Sequence, residues 1–130
     1  MKNHKIIYGG GNAEMRMSLA VNELANKTEG KEALAIEAFA RALRQLPTII
    51  ADNAGYDSAD IVQNLRSAIS NGQTESGLNM NSGEVDNMRE QGITECLRVK
   101  EQAVVSATEA AEMILRVDDI VKCAPRQREG

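Results

Sequence analysis

Three consecutive glycines, Gly9-Gly10-Gly11, constrain this chain more than any other feature. Glycine loses more conformational freedom on folding than any other residue, so a run of three demands unusual backbone angles or close approach by another group. The run follows a short apolar segment, Ile6-Ile7-Tyr8, and precedes a helical pattern. Strand, glycine turn and helix start are also the parts of a phosphate or nucleotide site. The pattern alone more often marks a hinge or tight connection with no ligand. The Lys and Ser/Thr of a phosphate loop do not follow the glycines, which argues against a small autonomous nucleotide-binding enzyme.

Periodicity around the glycines is helical. Ala13, Met17, Ala20, Val21 and Leu24 recur on one face, with Asn12 as the expected N-cap and a stop at Lys27-Thr28-Glu29-Gly30. A second helix carries Leu34, Ile36, Phe39, Ala40, Leu43 and Leu46, with Arg41 and Arg44 near its C-terminal end. Pro47 is expected to break it and to open a short new helix over Thr48–Asn53, closed by Ala54-Gly55. Asp57 caps a third helix, with Asp60 as an acidic capping-box partner and Ile61, Val62, Leu65, Ala68 and Ile69 as its buried stripe. Asn71-Gly72 ends it.

Turn formers over residues 72–86, with Leu78, Met80 and Val85 alternating between them, predict a small hairpin turning near Asn81-Ser82-Gly83. It is the one β element expected. A short helical piece then runs to Gln91-Gly92, and a long helix spans Leu97 to Val117. Its face of Val99, Ala103, Ala107, Ala110, Ala111, Ile114 and Leu115 is mostly alanine, so a neighbouring helix can come close. Glu112 and Arg116 stand four apart and can pair. Ile120-Val121-Lys122 is read as an edge strand and Pro125–Gly130 as a frayed tail with Arg126 and Arg128 solvated.

Composition narrows the function classes. The chain of 130 residues suits one domain, and its apolar set is poor in aromatics, with one Phe and two Tyr against six Met. Small and flexible apolar residues suit closely packed helices, and the methionines read as packing filler. A net charge of −4 lacks the basic footprint of a nucleic-acid binder. No apolar stretch has bilayer-spanning length, and MKNHKII lacks signal-peptide anatomy. Cys96 and Cys123 are far apart, without metal-ligand spacing, and His4 is the only histidine, so both read as reduced cytosolic thiols. Asp118-Asp119 lacks the partner base of a catalytic pair and reads as turn formers at a helix end.

Several segments, in order along nearly the whole chain, resemble one family. Gly9–Glu14 is similar to the GGGxxE element of group II chaperonins, and Leu46–Ser58 (LPTIIADNAGYDS) to the stretch after their proline. GEVDNM (Gly83–Met88), GITE (Gly92–Glu95) and VKEQAVVSATEAAEMILRVDDI (Val99–Ile120) resemble their C-terminal signature. The ADNAGYDSAD and SATEAAEMILRVDDI wording resembles the eukaryotic cytosolic branch.

The resemblance implies a mainly α fold: the C-terminal half of a chaperonin equatorial domain, about five helices with one small β-hairpin. Residues 1–8 would be a remnant of the intermediate-domain junction, 9–124 that half-domain and 125–130 a flexible tail. Met1 would then mark a boundary inside a longer protein. The family's GDGTT phosphate loop would lie upstream, as would its water-positioning aspartate, since residues 1–8 hold no Asp.

The resemblance further implies ATP as cofactor, with Mg²⁺ bound mainly by parts absent here. Gly10 would admit the nucleotide's base and sugar, Glu95 would accept from the ribose hydroxyls, Lys100 would line the pocket and Gly77 would pass the adenine. From the residues alone, Gly9 and Gly11 read as hinge geometry, Glu14 and Glu95 as dipole-favoured helix acids, and Lys100 as a solvated lysine. No catalytic or metal-binding residue is expected. The full subunit would hydrolyse ATP, while the chain alone would not. Its expected partners are other chaperonin subunits in a hetero-oligomeric double ring and unfolded clients such as actin and tubulin, in the cytoplasm, with no nucleic acid and no membrane. A non-enzymatic helical interaction module is the alternative reading.

Overall fold

A computed structural model describes residues 5–123, with side chains through residue 117. In chain order the elements are β1 (Ile6–Tyr8), α1 (Asn12–Lys27), α2 (Lys31–Asn53), α3 (Ser58–Ser70), β2 (Ser76–Asn79), β3 (Glu84–Asn87), α4 (Met88–Gln91), β4 (Thr94–Cys96) and α5 (Leu97–Cys123). The described residues are mainly α, with five helices. They divide into two compact units, one over Ile6–Glu95 and one formed by Lys5, Cys96 and α5.

Helix ends follow local chemistry. Asp57 accepts from the Ala59 amide at 3.1 Å and caps α3, as expected. Both α2 and α3 end in Schellman motifs. Gly55 N–H bonds Asp52 O and Tyr56 N–H bonds Ala51 O; Gly72 N–H bonds Ile69 O and Gln73 N–H bonds Ala68 O. The hairpin pairs Ser76 with Asn87 through Asn79 with Glu84, antiparallel. Its turn closes through Gly83 N–H to Asn79 O at 2.9 Å, and the Asn79 side chain accepts from Asn81 N–H.

Four expectations are corrected. Pro47 does not break α2, which continues to Asn53. The proline forfeits one amide donor, but its buried ring packs against Gly11, and the Thr48 hydroxyl donates to Arg44 O at 2.8 Å. Asn12 is not the N-cap: α1 is preceded by Gly11, and the Asn12 side chain bonds elsewhere. The hairpin is not the only β element, since β1 pairs with β4. Finally, α5 runs on to Cys123, so Ile120-Val121-Lys122 is helical and Asp118-Asp119 lies inside the helix rather than at its end. The expected tail over 125–130 lies outside the described residues.

The core of the first unit gathers Met15, Ala51, Ile61, Leu65, Ile69 and Leu78, where α1, α2, α3 and β2 meet. The α3 stripe is placed as expected. On α1 the buried face is shifted, to Met15, Ser18 and Ala25, whereas on α2 Ala40 and Leu43 are buried as expected and are joined by Pro47 and Ala51. The reason is close helix approach. Ser18 Oγ donates to Ala40 O at 3.0 Å, which only small residues allow. The larger apolar residues Leu24, Leu34, Phe39, Leu46 and Ile49 are left exposed.

On α5 the same holds more strongly. Val99, Val105, Met113, Ile114, Leu115 and Val117 are each at least half exposed, while Glu112 and Arg116 pair at 2.6 Å. The alanine-rich face expected to receive a neighbouring helix is solvent-exposed. Contiguous apolar surface of this kind drives association. The chain in isolation should therefore self-associate and bind a dye specific for exposed apolar surface. Light scattering that found a monodisperse monomer, together with no dye fluorescence, would overturn this expectation.

Candidate functional site

The glycine run is crossed by segments distant in sequence. Gly9 N–H donates to Ile93 O at 3.1 Å, extending the β1–β4 pairing. Gly10 O accepts from Leu78 N–H at 2.8 Å, tying the run to β2. Asn12, 1% exposed, donates through Nδ2 to Thr74 O at 2.9 Å and Ser76 O at 2.5 Å. Its two donors thus fasten the start of α1 to the segment that leads into the hairpin. Motif reading missed this role; a cap-type residue buried just inside a helix is the signal that side-chain bonding goes outward to another segment.

Close packing explains the glycines in part. Gly10 has φ +66°, where a side chain is strained, and a Cβ there would lie 2.7 Å from Met88 Sδ and 3.0 Å from the backbone N and O of Leu78. Gly77 is buried, and a Cβ on it would lie 2.8 Å from Met88 Sδ and 2.9 Å from Gly9 O. Met88 is itself fully buried. Glycine at 10 and 77 therefore lets β2 and the glycine run close over one methionine. A Cβ at Gly11 would meet the Pro47 ring at 2.8 Å.

Glu95 lies on β4, exposed. A Cβ added to Gly9 would sit 3.6 Å from Glu95 Cγ, so the Glu95 side chain lies beside the glycine run. Gly9, Gly10, Gly77 and Glu95 are thus neighbours in one unit, although Gly77 and Glu95 are well separated from the glycine run in sequence. Lys100, half-buried, lies on α5 in the other unit. Glu14 is buried in the first turn of α1, where the helix dipole favours an acid.

Around this crossing the polar groups are matched. Glu75 accepts from the Tyr8 hydroxyl at 3.3 Å and from Asn87 Nδ2 at 3.3 Å, and pairs with Arg89 at 3.6 Å. A groove of about 490 Å³ runs along Thr74, Glu75, Ser76 and Asp86. Among the described residues no buried side-chain N or O lacks a partner, and no three His, Cys, Asp or Glu cluster to hold a metal ion.

The packing account is testable. Gly10→Ala should cost roughly 2–4 kcal/mol, from left-handed strain plus overpacking. Gly92→Ala, also in the left-handed region at φ +68° but with nothing within 4 Å, should cost only about 1 kcal/mol. Gly77→Ala should be partly rescued by Met88→Ala, with a coupling of about 0.5–3 kcal/mol. Denaturant midpoints of the four variants and the double variant check this; equal losses for Gly10→Ala and Gly92→Ala would sink it.

Known proteins resemble the chain over nearly its whole length. The model of the TCP-1/cpn60 chaperonin family matches residues 1–125. T-complex protein 1 subunit beta of Homo sapiens is 59% identical over 128 residues, which is 98% of this chain and 24% of that one. The subunit of the same name from Saccharomyces cerevisiae is 54% identical, over 96% of this chain and 24% of the relative. A solved open-state monomer of a group II chaperonin from Methanococcoides burtonii superposes with a TM-score of 0.83 at 45% identity, covering 86% of this chain and 28% of that one. The chain spans about a quarter of the length of the curated relatives it matches.

Proposed function

The chain belongs to the TCP-1/cpn60 chaperonin family, and from that membership we propose that it is part of an ATP-dependent chaperonin subunit. The observation that carries the reading is 59% identity over 98% of the chain to a T-complex protein 1 subunit beta. Residues 9–124 are the C-terminal half of the equatorial domain, and 1–8 come from its junction with the intermediate domain. The complete subunit works in a cytosolic hetero-oligomeric double ring and assists unfolded proteins.

In this reading Gly10, Gly77 and Glu95 make the base-and-ribose side of an ATP site, and Lys100 lines it from α5. The grouping of Gly9, Gly10, Gly77 and Glu95 in one unit supports the first three roles. Exposed Glu95 fits a ribose: a carboxylate is a pure acceptor and takes two hydrogen bonds from a diol. A Cβ would meet Met88 at both Gly10 and Gly77, with Leu78 added at Gly10 and Gly9 O at Gly77, so a base passing there meets a wall already shaped by internal packing. Bound ATP with Mg²⁺ would supply a phosphoryl group whose transfer depends on electrostatic positioning. This chain's residues orient the nucleoside end and leave the phosphates to a loop elsewhere in the subunit.

Two outcomes follow. Adenosine titrated into the chain should shift the amide resonances of Gly10, Glu95 and Lys100, and Glu95→Ala should weaken binding by roughly 10–100-fold, the loss of a hydrogen bond to a charged group. Steady-state assays should detect no ATP turnover by the chain alone. The proposal fails if adenosine leaves those resonances unmoved, or if purified chain hydrolyses ATP in a manner abolished by Glu95→Ala.

A further inference from the structure

Away from the glycine crossing, α2 and α3 face each other across a cleft of about 350 Å³. Its walls carry three guanidiniums, Arg41 and Arg44 on α2 and Arg66 on α3, and the hydroxyl residues Thr48 and Ser58. Among the described residues no carboxylate lines the cleft and none of the three arginines is in an ion pair. That is unexpected in a chain with 19 acidic residues against 15 basic ones. Arg41 and Arg44 lie one helical turn apart, on neighbouring positions of one face. Burial holds the Arg44 guanidinium below its usual value, and Arg66 and Arg41 push it the same way. Three cations repelling one another cost stability unless something neutralises them.

The Arg44 head is also fixed in place. Its Nη1 donates to Ser18 Oγ at 3.1 Å, and Ser18 is fully buried and donates onward to Ala40 O. One of five guanidinium donors is used in that bond, which leaves a pre-oriented fork. A planar carboxylate is satisfied by one such fork, whereas a tetrahedral oxyanion accepts from several directions at once. Donors from two helices therefore suit a phosphate better than an acidic side chain.

We propose that the cleft between α2 and α3 is a phosphate-class oxyanion site, built by Arg41, Arg44 and Arg66. The ligand is a multiply charged phosphate, either free or carried on a phosphorylated side chain. None of these arginines belongs to the proposed nucleotide site, so either assignment can fail alone.

The test is titration of the chain with inorganic pyrophosphate, with a phosphoserine tripeptide and with a glutamate tripeptide, at constant ionic strength set by chloride. Guanidinium resonances of Arg41, Arg44 and Arg66 report occupancy. Pyrophosphate or the phosphoserine peptide should shift all three, and the tighter of the two identifies the source. Arg41→Gln, at an exposed position, and Arg66→Gln should each weaken binding at least tenfold. Without ligand, neither variant should melt below the parent chain, because each relieves repulsion. Adenosine, which carries no phosphate, should still shift Gly10 and Glu95 in both variants. The site is disproved if neither phosphate ligand shifts the guanidiniums more than chloride does, if the glutamate peptide binds as tightly, or if both Gln variants bind like the parent.

Discussion

Everything in the first unit hangs on the crossing of the glycine run by β2. Gly10 O and Leu78 N–H are 2.8 Å apart, and that approach is open only to residues without Cβ at 10 and 77. Once made, it fixes four segments. Asn12 ties α1 to residues 74–76, Gly9 aligns with Ile93, Met88 fills the space beneath, and Leu78 is delivered to the core beside Met15 and Leu65. Buried backbone groups must be paired or pay a desolvation cost, so strands of only three or four residues persist here because each has a partner, β1 with β4 and β2 with β3. A break at this point would release the seat of the hairpin and the placement of Glu95 together.

Local chemistry was legible wherever one residue decides the outcome. The Asp57 cap, the Gly55 and Gly72 helix ends and the Asn79–Gly83 turn all read directly from residue type. Tertiary context decided the rest. Pro47 has every intrinsic reason to stop a helix, yet its ring is what fills the hollow facing Gly11. Hydrophobic periodicity put Met17 and Leu24 on the inner face of α1 and Leu34, Phe39 and Leu46 on that of α2, whereas helix proximity buries Ser18 and Ala25 on α1 and keeps only Ala40 and Leu43 of the expected α2 face fully inside. The β1–β4 pair was hidden because strands of three residues carry no periodicity.

The candidate site was legible in parts. The glycines were recognisable as special, but a sequence cannot say what occupies the space a Cβ would take. At 10 the occupants are Met88 and the Leu78 backbone, and at 77 they are Met88 and Gly9 O, groups brought from elsewhere in the chain with no local mark. Glu95 was placed by motif resemblance, and the structure sets it beside Gly9. Lys100 sits on α5, in a separate unit, so its part in a nucleotide pocket rests on the resemblance.

Helix packing through small residues also shapes the outer surface. When Ser18 and Ala40 bring α1 and α2 together, Leu34, Phe39 and Leu46 must turn away, and with them Arg41. Apolar side chains and, among the described residues, arginines without a carboxylate partner are thereby both turned outward in a net-acidic chain. The first group costs hydration free energy and the second costs repulsion, each offset only by a neighbour of matching chemistry. The two demands differ in kind. An apolar face accepts any surface of the right shape, while a fork held by a buried serine selects charge and geometry. Arg44, bridging the buried Ser18 and the open cleft, is where the internal packing of this chain becomes a specification for what lies outside it.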